Sequence, residues 1–178
     1  MSTADELKAL VRTIPDFPKP GIAYRDITTL LLDRGGFAGA VDAMAASVAG
    51  PVDLVAAIEA RGFVIGGALA IRLGAGLLLV RKDGKLPGAT IAEDYALEYG
   101  TDRLQMHVDA CAPGARVLVI DDLIATGGTA LAAVRLVRRA GGVVVGARFL
   151  IDLPALGGTE VIRAEGIEAV SLMAFEGD

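Results

Sequence analysis

A chain of 178 residues is long enough for one α/β domain with a substantial core and hardly long enough for two. Its formal charge of −5, from 17 basic and 22 acidic side chains, argues against a nucleic-acid or anionic-membrane surface. Cys111 is the only cysteine, which excludes an intramolecular disulfide, and His107 stands without the companions that a metal site or a catalytic triad needs.

The N-terminus carries no basic lead ahead of an apolar core, so no signal peptide is expected and the expected location is the cytoplasm. Leu7, Leu10, Val11 and Ile14 predict a short helix, capped by Thr3 or Asp5 and ended by Pro15. The segment 17–27 holds two prolines and reads as a rigid connector that leads into a short extended piece. Phe37, Val41, Met44 and Val48 mark the next helix, which stops before Gly50-Pro51.

Residues 53–59 (DLVAAIE) predict a buried strand, followed by a helix over about 63–73. Open parallel sheets bind ligands at the carboxyl ends of their strands, so the tip Glu59-Ala60-Arg61-Gly62 faces that crevice. Arg61, with Gly62 freeing the backbone beside it, suits bidentate contact with a phosphate group. The stretch 62–80 is the one candidate for a membrane span, but Arg72 and five glycines interrupt it, which favours helix, turn and strand.

A third strand is predicted at 77–80. Its exit, Arg81-Lys82-Asp83-Gly84-Lys85-Leu86-Pro87-Gly88, is too polar for a core and reads as a mobile basic loop. The period-two runs Tyr95-Leu97-Tyr99 and Leu104-Met106-Val108, with Gly100-Thr101-Asp102 between them, predict an antiparallel hairpin. Glu98 faces opposite to Leu97 and Tyr99 by strand alternation. A loop carried by this hairpin beside an anion crevice can close as a lid.

The densest signal is RVLVIDDLIATGGT at 116–129. Residues 117–120 predict a strand buried on both faces; Ala130, Ala133, Val134 and Val137 then fall at helical spacing until Gly141-Gly142. The first N–H groups of a helix lack intrahelical partners, and its dipole attracts anions there. Ala125, Thr126, Gly127, Gly128 and Thr129 therefore predict a phosphate cradle. Asp121 and Asp122 repel phosphate but accept from sugar hydroxyls or partner a magnesium ion. Phosphate and diol side by side describe ribose 5-phosphate. A Walker loop is excluded because no lysine lies in 116–129, and a dinucleotide fingerprint because GxGxxG does not follow the strand. Beyond the helix, a strand over 143–151, a short helix over 159–165 and a last strand over 169–172 complete one domain, 1–178, with no repeat or linker.

VIDDLIATGGT resembles the phosphoribosyl diphosphate (PRPP) motif of the type I phosphoribosyltransferases. Phe17-Pro18-Lys19-Pro20-Gly21 with Arg25-Asp26-Ile27, Glu59-Ala60-Arg61-Gly62-Phe63, and Arg81-Lys82 through Gly88 with Leu97-Glu98-Tyr99-Gly100 are similar, in order, to the signatures of the adenine phosphoribosyltransferases. The resemblance implies an open, mostly parallel twisted sheet flanked by helices, with a small hood (1–34) and an antiparallel flexible-loop hairpin (81–108). It implies transfer of the 5-phosphoribosyl group from PRPP to adenine with Mg2+, by a homodimer. It places the 5′-phosphate at Ala125–Thr129, the ribose at Asp121 and Asp122, and the diphosphate at Glu59, Ala60, Arg61, Gly62, Arg81 and Lys85. Adenine falls to Ala23, Tyr24 and Arg25, its proton to Glu98, and catalysis to Glu98 together with Lys85 and Arg81 of the flexible loop. A cis peptide is implied at Glu59–Ala60. Gly158 departs from the pattern where a basic residue is common, leaving the loop around it uncertain. The alternatives are transfer to xanthine, guanine or hypoxanthine, or a PRPP-sensing regulator that binds nucleic acid; the acidic charge disfavours the regulator.

Overall fold

The computed structural model describes residues 3–96 and 100–177. The chain runs α1 (Ala4–Ala9), β1 (Arg12–Pro15), β2 (Ala23–Asp26), α2 (Thr28–Leu32), α3 (Arg34–Ala46), β3 (Leu54–Ile58) and α4 (Arg61–Leu73). It continues with β4 (Gly76–Lys82), β5 (Thr90–Ala96), β6 (Thr101–His107), β7 (Arg116–Ile124), α5 (Gly128–Arg139), β8 (Val143–Asp152), a 3-10 turn (Pro154–Leu156), α6 (Gly158–Ala164) and β9 (Ala169–Ala174).

The main sheet has the order β5-β6-β4-β3-β7-β8-β9. β4, β3, β7, β8 and β9 are mutually parallel; β6 joins antiparallel to β4 and β5 to β6. β7 lies in the middle of the parallel part and alternates between two cores. Val117 and Val119 meet the helix α5 side with Ala133, Val137 and Phe149, while Leu118 and Ile120 meet Ile65, Leu69 and Met44 of α4 and α3. Burial on both faces explains the unbroken apolar run in the sequence. Helix α4 sits close because Gly62 and Gly66 share one face: a Cβ on Gly66 would stand 2.5 Å from the Ala57 Cβ. That close approach brings the start of α4 directly over the end of β7.

The hood is smaller and differs from its sequence reading. The first helix ends at Ala9, capped at its start by Thr3 in a reciprocal box with Glu6. Leu7 and Val11 are both buried, as the apolar pattern requires, but the chain turns at Leu10 and Arg12–Pro15 pairs antiparallel with Ala23–Asp26. The β-branched pair Thr13-Ile14 gains a strand partner that a solitary helical turn does not offer. Arg12 clasps Asp26 across this pair, with Nε 3.1 Å from Oδ2. Asp26 also accepts the Thr28 N–H and hydroxyl, and together these hold its carboxyl down to about 2. Helix α2 carried no sequence signal of its own, and α3 ends at Ala46, before Val48.

Two further boundaries move. Arg81 and Lys82 belong to β4, paired to Gln105 and Leu104 of β6, so the basic loop proper begins at Asp83. β7 runs on to Ile124, which places both acids inside the strand, because β8 continues beside it to pair Ile124 with Asp152. The hairpin exists, with β5 starting at Thr90 rather than near Tyr95. Leu97, Glu98 and Tyr99 lie outside the described residues. The Glu59–Ala60 and Phe17–Pro18 peptide bonds are both cis. Among the described residues no helix is long and apolar enough to cross a membrane.

Candidate active site at the carboxyl ends of the strands

The turn from β7 into α5 forms a cavity of about 150 Å³, lined by Asp121, Leu123, Ile124 and all of Ala125 to Thr129. Gly127 supplies the left-handed turn (φ +84°) that ends the strand and starts the helix. The first turn of α5 starts at this cavity, where helix N–H groups lack intrahelical partners, and Arg138 and Arg139 complement the dipole at the far end. The structure thus brings Ala125 to Thr129, the residues expected to form a phosphate cradle, together around one cavity.

The cradle is braced from behind. Gly158, at the start of α6, donates its N–H to the Ala125 carbonyl at 2.9 Å. A Cβ there would stand 2.3 Å from that oxygen and 2.6 Å from the Gly127 nitrogen. A side chain there would force α6 or the 125–127 loop to shift, so glycine at 158 is what lets the two pack this closely. On the other side, a Cβ on Gly128 would lie 3.1 Å from the Ala96 carbonyl and 3.6 Å from the Tyr95 ring. The last residues of β5 thus rest on the same turn.

The two acids differ. Asp122 is almost fully buried, with Oδ2 2.8 Å from Arg61 Nε. That oxygen accepts no well-aligned hydrogen bond among the described residues. Asp121 accepts the Asp122 N–H at 2.8 Å and faces Gly62, whose missing Cβ leaves it room. Burial pushes the Asp121 carboxyl well above the ordinary carboxylate range and the neighbouring Asp122 charge adds to it, against the pull of the Asp122 N–H and of Arg61. The two acids thus sit in different surroundings, Asp122 paired with the Arg61 guanidinium and Asp121 with its carboxyl raised by burial.

Arg61 begins α4 at the tip of β3. Besides Asp122 it reaches the hood, donating to the Tyr24 hydroxyl with its guanidinium 5.1 Å from the Tyr24 ring centre. Glu59 sits at the same tip of β3 and, from the neighbouring β4, takes a two-pronged contact from Arg81, 3.2 Å on each arm, plus the Lys82 N–H at 2.9 Å. Burial alone would raise Glu59; the Lys82 N–H, the Arg81 guanidinium and the Lys85 charge outweigh it and hold the carboxyl below its ordinary value. Arg81 also donates to the Lys85 carbonyl, while the Lys85 side chain is exposed on the loop. Ala23, Tyr24 and Arg25 form β2; the Arg25 guanidinium turns away, to Thr13 and the Glu176 carbonyl. Glu98 lies outside the described residues.

One cluster escaped the sequence reading. Asp102 Oδ2 accepts from the Tyr95 hydroxyl and pairs with Lys82 Nζ, both at 3.0 Å. The Asp102 hydrogen bond raises Lys82 above its ordinary value. Asp102 reads as a turn residue and Tyr95 as an apolar strand residue, so only the hairpin register, Tyr95 opposite Asp102, reveals the pair. Among the described residues no group of three His, Cys, Asp or Glu side chains is placed to hold a metal ion by itself.

Comparison with known proteins follows the same outline. Residues 31–164 match the family model described as a phosphoribosyl transferase domain. A relative from Parvibaculum lavamentivorans, named adenine phosphoribosyltransferase, is 58% identical over 173 residues, covering 97% of this chain and 99% of its own. The crystal structure of adenine phosphoribosyltransferase from Thermoanaerobacter pseudethanolicus superposes with a TM-score of 0.93 at 46% identity, over 97% of this chain and 100% of that one. The Saccharomyces cerevisiae adenine phosphoribosyltransferase, solved with an imino-altritol bisphosphate and adenine, gives 0.88 at 33% identity, over 96% and 98% of the two chains.

Proposed function

The chain belongs to the phosphoribosyltransferase family, and on that premise we propose that it transfers the 5-phosphoribosyl group of PRPP to N9 of adenine, releasing AMP and diphosphate. The observation that carries this reading is the junction of β7 and α5: two adjacent acids, Asp122 buried, end the strand ahead of a glycine turn that lines a cavity of about 150 Å³ at a helix start. The 5′-phosphate binds Ala125 to Thr129, and Asp121 and Asp122 take the ribose hydroxyls. Glu59, Ala60, Arg61 and Gly62, with Arg81 and Lys85, receive the diphosphate. The β2 backbone at Ala23 to Arg25 frames adenine, and Glu98 takes the N9 proton.

The charges fit the chemistry. The bond from C1 to the diphosphate oxygen breaks as the bond from N9 to C1 forms, so positive charge grows on the sugar and negative charge on the leaving group. Carboxylates lie on the sugar side, and Arg61, Arg81 and Lys85 on the side of the leaving group, where preorganised charge lowers the barrier. Water excluded from this crevice cannot hydrolyse PRPP. Asp121 and Asp122 offer carboxyl oxygens of the kind that Mg2+ takes, and would hold an ion brought by PRPP. Such an ion neutralises diphosphate charge. The protein acts as a cytoplasmic homodimer.

The deciding experiment mixes the protein with PRPP, Mg2+ and one base at a time and separates the products. AMP from adenine, with little product from hypoxanthine, guanine or xanthine, is the expected result; nucleotide formation from another base in preference to adenine refutes the assignment of the base.

A further inference from the structure

Arg61 is the side chain that touches both halves of the proposed site. Its Nη1 donates to the Tyr24 hydroxyl of β2, and its Nε stands 2.8 Å from Asp122 Oδ2 at the end of β7. Tyr24 is braced in turn by Phe17, whose ring meets it edge-on at 5.1 Å and 78°. The Asp122 side chain is only 6% exposed, and its Oδ2 accepts no aligned hydrogen bond among the described residues. Arg61 therefore supplies the charge that offsets the burial of this carboxylate.

The same guanidinium is the one proposed to hold diphosphate. PRPP thus has to draw Arg61 off Asp122, and whatever fixes Arg61 on Asp122 sets part of the cost. We infer that Tyr24 is a positioning residue: its hydroxyl holds Arg61 on Asp122 and so ties the base-side strand β2 to the PRPP side of the crevice. This rests on the proposed function, in which β2 frames the base and 121–129 the ribose phosphate. By linkage, a ligand that shifts β2 changes PRPP affinity by the same factor as PRPP changes that ligand's affinity.

Tyr24→Phe isolates the effect, because it keeps the ring and its packing on Phe17 and removes only the hydroxyl. Calorimetric titration of the parental chain and the variant with PRPP and Mg2+, with and without adenine, gives the affinities; a thermal melt and kcat accompany them. The variant is expected to bind PRPP about two- to tenfold more tightly, the range that one net hydrogen bond spans. The effect of adenine on PRPP affinity should shrink with it, while the melting temperature stays near the parental value. PRPP binding by the variant that is equal or weaker overturns the role given to Tyr24. A parental chain that binds no PRPP instead overturns the functional reading beneath it.

Discussion

Replacing Gly158 by alanine tests whether the cradle is held in place from behind. The new Cβ would lie 2.3 Å from the Ala125 carbonyl oxygen, where ordinary contact begins near 3.4 Å. Something must move by about 1 Å, either α6 backward or the 125–127 loop forward into its own cavity. Overpacking of this kind costs about 1–3 kcal/mol, and a weakened Gly158 N–H to Ala125 bond adds about 1 kcal/mol. For a chain of this size that lowers the melting temperature by about 3 °C per kcal/mol. If the loop gives way, the 5′-phosphate loses its seat, and a misplacement of about 1 Å reduces kcat/KM for PRPP by about 100-fold. Gly157→Ala is the control. Nothing stands within 4 Å of a Cβ there, but its φ of +71° disfavours alanine. It should cost about 1–2 kcal/mol of stability with the PRPP KM unchanged. Steady-state kinetics with varied PRPP, beside melts of both variants, decide the matter. A Gly158→Ala protein with parental PRPP kinetics would show that the contact with α6 does not position the cradle.

Three further outcomes are expected. Glu98→Ala and Lys85→Ala should lower kcat by about 100-fold or more while PRPP affinity, measured by titration, changes far less; parental turnover removes both roles. Arg81→Ala strips the two-pronged partner from Glu59 and should raise the PRPP KM and lower the melting temperature together; an unchanged KM separates Arg81 from the diphosphate. Asp121 has a carboxyl raised in the fold, so the stability it contributes is complete below the ordinary carboxylate range and is lost as pH rises through its folded value. Asp121→Asn should therefore flatten the loss of stability between acidic and neutral pH, and a melting profile that still falls in parallel with the parent contradicts the shift.

What the sequence discloses and what it conceals divide by range. The β7–α5 junction was legible because all its causes are local: an apolar β-branched run, two acids, then glycines that force a turn at a helix start. The tip of β3 was legible for the same reason, and Arg61 and Glu59 both stand where the strand pattern puts them. The hood was not, because Arg12–Pro15 is a strand only by virtue of Ala23–Asp26, and its apolar spacing fits a helix equally well. Arg81 and Lys82 looked like loop residues because the partner that makes them a strand, β6, lies across a hairpin. The need for glycine at 158 was invisible, since the carbonyl it would strike belongs to Ala125.

The pairing of charges across the crevice explains how a site so rich in ionisable groups remains compatible with a folded core. Asp122 would carry an uncompensated buried charge without Arg61, and Glu59 without Arg81 and the Lys82 N–H. Asp121 also feels Arg61, but burial and the Asp122 charge outweigh it and push its carboxyl above the ordinary range. Asp122 and Glu59 are thus each neutralised by a neighbour, and those neighbours, Arg61 and Arg81, are the cations proposed to hold diphosphate. Substrate charge then replaces side-chain charge rather than adding to it: diphosphate takes the arginines, and ribose hydroxyls with their magnesium ion take the acids. Such an exchange keeps the net cost of burial small at every stage, so affinity for PRPP should depend on the strength of the internal pairs as much as on the contacts PRPP makes.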